Sequence, residues 1–77
     1  MKRKIAMLVH ESEEGGFWAS FPDLPGCFTQ GDTRADLREH AVEAVQGYLE
    51  AMRNAGKPLP DAVLAVEEIE ADLEEVA

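Results

Sequence analysis

Residues 21–33 read Phe21-Pro22-Asp23-Leu24-Pro25-Gly26-Cys27-Phe28-Thr29-Gln30-Gly31-Asp32-Thr33, and their order decides the architecture. Proline locks φ and glycine opens the positive-φ region, so two of each within eleven residues leave the backbone few choices. The stretch predicts the end of one strand at Pro22, a turn at Pro25-Gly26, a short third strand over residues 27–30, and a helix entered at Asp32-Thr33. Pro22 ends the preceding strand because it cannot donate to a ladder.

Working back toward the N-terminus, residues 4–10 alternate, with Ile5, Met7 and Val9 on one face and Lys4, Ala6, Leu8 and His10 on the other. Both faces are fairly apolar, as in a strand with one fully covered side. Residues 11–16 are polar and close on Gly15-Gly16, a hairpin loop. Residues 17–21 form the return strand, with Phe17, Ala19 and Phe21 facing one way and Trp18 and Ser20 the other. The first thirty residues therefore predict an antiparallel meander.

Working forward, Thr33 and Asp36 have the spacing of a capping box, with Asp in place of the preferred Glu. Asp32 and Asp36 both sit where the helix dipole favours anions. Leu37, Ala41, Ala44, Val45, Tyr48 and Met52 recur at helical spacing, which predicts one apolar stripe on a helix over residues 33–54. Gly56 and Pro58 follow in the order expected of a helix end. Beyond Pro60, the run Ala62-Val63-Leu64-Ala65-Val66 predicts a fourth strand. Residues 67–77 form an acidic tail in which Ile69, Leu73 and Val76 predict a short helix. That tail is below the roughly 12–15 residues an isolated helix needs, so it orders only where it docks.

The order β-β-β-α-β makes an α+β fold. A right-handed crossover places the fourth strand beside the first, giving sheet order 3-2-1-4 with one long helix on one face. The phrase Pro22-Asp23-Leu24-Pro25-Gly26-Cys27, followed by Thr29-Gln30-Gly31-Asp32-Thr33, resembles the signature of the HicB-like antitoxin family, and the likeness covers residues 5 to about 66. The resemblance implies a partial ribonuclease-H-like fold in which Pro22, Asp23, Pro25, Gly26, Thr29, Gly31 and Thr33 are structural motif positions. It also implies a partner: a HicA-type toxin, a small basic RNA-cleaving protein that the antitoxin neutralises. Longer family members add a C-terminal DNA-binding domain. This chain reads as a short form with an acidic tail in that place, hence without DNA binding. The alternative is a solitary homo-oligomeric binding or structural module with no toxin.

Seventy-seven residues suit one small domain. A chain of this size buries only about 60% of the surface its unfolded form exposes. Self-association to a homodimer or tetramer is the expected supplement, since the single Cys27 excludes an internal disulfide. No membrane-spanning run or signal-peptide core is visible, so the expected location is the cytoplasm. The formal charge is −9, and residues 61–77 hold seven acids and no base. Such a surface repels phosphate and favours a basic protein partner.

Catalysis, cofactors and metals are not expected. Two-metal phosphoryl chemistry needs several converging carboxylates. Asp23 lies in a turn, Asp32 and Asp36 are explained by the helix start, and the first strand holds no acid. His10 and His40 are too far apart in sequence to form a metal pair by spacing; His40 follows Asp36 by one turn and predicts a surface pair with it. Cys27 reads as a small buried hydrophobe. Trp18 stands opposite the phenylalanines, and tryptophan is enriched at interface hot spots. With Asp23, Glu67 and Glu68 it makes up the expected partner-binding set.

Overall fold

A computed structural model describes residues 4–61 and 63–75. Strand β1 (Leu8–Glu11) pairs antiparallel with β2 (Phe17–Ser20), and β2 with β3 (Phe28–Gly31), giving the order β1-β2-β3. In register, Val9, Ala19 and Thr29 share one face, while His10, Trp18 and Gln30 share the other. Helix α1 (Arg34–Asn54) packs across the Ala19 face, chiefly against β3. The buried core is Ala19, Phe21, Leu24, Cys27, Leu37 and Ala41, with Ile5, Met7, Val9, Phe17, Ala44, Val45, Tyr48 and Leu49 packed around it. The face carrying Phe17, Ala19 and Phe21 is thus the covered one, and Trp18 is left outside.

The motif between β2 and β3 is two consecutive turns. Leu24 N–H donates to Phe21 O at 2.9 Å, and Cys27 N–H to Leu24 O at 3.0 Å. In the second turn Pro25 supplies the fixed φ and Gly26, at φ 81°, the left-handed residue that a type II turn requires. Leu24, between the turns, is fully buried and plugs the core from that end.

Gly31 serves a different need, a close approach. A Cβ there would lie 2.5 Å from the Leu37 backbone nitrogen and 2.8 Å from its Cα, so only glycine lets β3 run under the first turn of α1. Thr33 caps that turn: its Oγ1 accepts from Asp36 N–H at 3.1 Å. The reciprocal bond of a full capping box is absent among the described residues, as suits Asp, one methylene shorter than Glu. At the other end Gly56 N–H donates to Arg53 O and Lys57 N–H to Met52 O, with Gly56 at φ 72°; this is a Schellman motif.

The C-terminal third departs from the simple pattern reading. Three strands are paired, and residues 63–66, where a fourth strand was expected, are exposed and join no sheet; Ala62 lies outside the described residues. Residues 4–7 likewise lie outside the ladder, because the residue that follows Phe21 on the β2 side is Pro22, which has no N–H to offer. The helical tail is reduced to a single 3-10 turn, Leu73–Glu75, and Val76 lies outside the described residues. Asp72 Oδ1 accepts from Glu74 N–H at 2.9 Å to start that turn. With no packed face to hold it, a segment this short gains too little to propagate.

Candidate functional site

The sheet face that α1 does not cover carries Leu8, His10, Trp18, Ser20, Phe28 and Gln30, one alternating set from each strand. Its centre is aromatic. The His10 and Trp18 rings stack with centroids 4.0 Å apart and planes 16° from parallel. Phe28 leans on Trp18 from the far strand, at 6.4 Å and 52°. Ser20 Oγ lies 3.5 Å from His10 Nε2 and holds the imidazole at its edge. Trp18 is still 38% exposed and Phe28 63%, so the three rings form an apolar face open to solvent. Sequence reasoning singled out Trp18 and passed over His10 and Phe28. The available signal was the cross-strand register, which puts His10 opposite Trp18 on one face.

The other expected partner-binding residues are placed apart from this face. Asp23 stands in the first motif turn, and its Oδ2 is buried with no hydrogen-bond partner among the described residues. The reason is local: an Asx turn would take its bond from the residue two positions on, and that residue is Pro25, which has no N–H. Glu67 and Glu68 lie on the exposed C-terminal segment. Neither is hydrogen-bonded to Trp18 or Asp23.

Two polar side chains tie the helix to the sheet and its turn. His40 does not pair with Asp36; its Nδ1 donates to Gln30 O on β3 at 2.6 Å. A backbone carbonyl on the free side of an edge strand has no strand partner, and His40 supplies one. Tyr48 OH donates to Pro25 O at 2.9 Å and pins the second motif turn to α1. Burial pushes the Cys27 thiol pKa upward, as befits a packing residue. Among the described residues no three His, Cys, Asp or Glu side chains are grouped as a metal site. No helix among them is long and apolar enough to cross a membrane.

Fold and surface together define a class: a small α+β domain with an open aromatic sheet face and an acidic exterior. The particular family follows from comparison. Residues 5–75 match the family described as HicB-like antitoxin of bacterial toxin-antitoxin system, and the chain belongs to it. It is 46% identical over 55 residues to "Antitoxin HicB 1" of Photorhabdus laumondii, covering 66% of this chain and 34% of that one. It is 33% identical over 65 residues to the UPF0150 protein ssl0738 of Synechocystis, covering 83% and 90% respectively. Among solved structures, a chain of the HicA3 and HicB3 toxin-antitoxin complex superposes with a TM-score of 0.60 at 42% identity, over 70% of this chain and 62% of that chain. The present chain thus spans about a third of the Photorhabdus antitoxin and under two thirds of the solved chain.

Proposed function

We propose that this chain binds and neutralises a small, basic, RNA-cleaving HicA-like toxin by covering the toxin's RNA-binding face. The observation that carries the reading is the likeness, at 42% identity, to a chain of a solved toxin-antitoxin complex. The charge of −9 supplies the attraction. The aromatic face of Trp18 supplies a desolvated anchor of the kind interface hot spots use, while Asp23, Glu67 and Glu68, which lie apart from that face, add to the acidic exterior. In this reading the chain acts by binding rather than catalysis, in the cytoplasm.

The same reading makes the chain a homo-oligomer that does not bind DNA. Helix α1 carries Arg34, Arg38 and Arg53 against Asp36, Glu39, Glu43 and Glu50, so its surface repels phosphate. Co-expression with a HicA-like toxin tests the proposal. Growth is restored by the wild-type chain and lost again with Trp18→Ala, while the melting temperature of that variant changes little. Unchanged growth arrest in the presence of the wild-type chain refutes it.

A further inference from the structure

A second exposed apolar feature lies on the opposite side of the molecule from the aromatic face. Between α1 and the unpaired residues 4–7 runs an open groove of about 770 Å³. Its floor is apolar, with Ile5, Met7, Val45 and Leu49, and three bases, Arg38, Arg53 and Lys57, stand around it against one acid, Glu50. Those are three of only seven Lys and Arg in the whole chain. In a protein of charge −9, a basic-rimmed apolar groove calls for an apolar and acidic occupant.

The chain itself carries a segment of that chemistry. Residues 63–74 contain Leu64, Ile69 and Leu73, interleaved with Glu67, Glu68, Glu70, Asp72 and Glu74 and with no base. Leu64 is 101% exposed, Ile69 91% and Leu73 84%. Among the described residues the 3-10 turn packs on no other element. Pro58 and Pro60 stiffen the exit from α1. The radius of gyration is 15.1 Å, against about 11–12 Å for a compact chain of this length. The segment is thus built to be buried and is held away from its own groove.

We propose that residues 63–74 of a second copy dock in this groove, with the exchange reciprocated around a two-fold axis. This rests on the self-association reading above and names the surfaces that carry it. Twelve extended residues reach at most roughly 40 Å, enough to run the length of a 21-residue helix of about 32 Å. The apolar side chains fill the floor and the carboxylates meet Arg38, Arg53 and Lys57. Residues 63–66 come to lie beside residues 4–7, whose backbone lies outside the ladder, so a fourth strand is added to the sheet from the neighbour. The exchange is isologous and therefore closes at two chains.

A charge-swap pair tests this on the full chain. One variant carries Arg53→Glu and Lys57→Glu in the groove; the other carries Glu67→Lys and Glu70→Lys in the tail. All four side chains are exposed, so the fold of each chain is retained. By light scattering over a concentration series, wild type has the mass of two chains, and each variant alone associates on the order of tenfold more weakly. An equimolar mixture recovers the wild-type association, because each acidic tail then meets a basic groove and each basic tail an acidic one. Variants as dimeric as wild type leave self-association standing and overturn the groove as its site. Weakened variants that no mixture rescues overturn the exchange. A wild type of one-chain mass removes the self-association reading itself.

Discussion

Gly31 and Gly47 receive the same chemical change on replacement by alanine, and the structure requires opposite outcomes. Neither has a positive φ, so backbone strain enters neither case. At Gly47, within α1, an added Cβ meets nothing within 4 Å. Alanine there gains helix propensity of about 0.5–1 kcal/mol. At Gly31 the added Cβ falls 2.5 Å from Leu37 N, 2.8 Å from Leu37 Cα and 2.9 Å from Asp36 C. All three are backbone atoms of the helix's first turn, so no rotamer change relieves the clash. Helix and strand must separate, and the Leu37 contacts at the centre of the core open with them. Overpacking of this kind costs about 1–3 kcal/mol. For a domain of this size each kcal/mol moves the melting temperature by about 4–8 °C. Gly31→Ala is expected to melt on the order of 10 °C below wild type and Gly47→Ala a few degrees above it, both read by circular dichroism. A Gly31→Ala protein that melts at or above wild type refutes the close-approach argument.

Three further outcomes are expected. Tyr48→Phe removes the bond to Pro25 O and lowers stability by about 0.5–1 kcal/mol in urea titration, with the partly exposed site favouring the low end; no change would show that the motif turn is held without it. Thr33→Ala deletes the helix cap and costs about 1 kcal/mol in the same assay, whereas Thr33→Asp costs little; equal losses would point away from capping. Cys27, whose pKa burial raises above the thiol's ordinary 9.0, stays protonated in the fold beyond the pH at which the unfolded chain ionises. Stability is therefore level with respect to this group below that pH and falls as pH rises through the folded value. Alkylation at pH 8 is slow in the native protein and fast in urea, and equal rates would contradict its burial.

Much of this was legible because it is local. The Pro25-Gly26 turn, the Thr33–Asp36 cap and the Gly56 terminus each depend on backbone preferences within four or five residues, and the stripe from Leu37 to Tyr48 on helical period. The features that escaped are those fixed by another element. His40 bonds Gln30 rather than Asp36 because an edge carbonyl needed a partner, a fact visible only once β3 lies beside α1. Tyr48 was read as stripe, and its hydroxyl contact spans 23 residues of sequence. Apolar run and strand were equated at residues 63–66, yet pairing requires an edge brought into reach. On the open face, Trp18 was legible as a residue but its stack with His10 was not, since that is a property of register.

The packing of α1 on β3 has a kinetic meaning. These contacts join segments adjacent in sequence, with Gly31 six residues from Leu37, and they bring fully buried Leu37 into the core, so closing them costs little chain entropy for the burial gained. The β1–β2 hairpin must then be added to a corner that already exists. The rate-limiting structure on the folding path is accordingly expected to contain the β3–α1 corner, with Leu37→Ala slowing refolding and Val9→Ala mainly hastening unfolding. Chevron analysis of the two variants reads the order directly, and refolding slowed by the β1 change alone would reverse it.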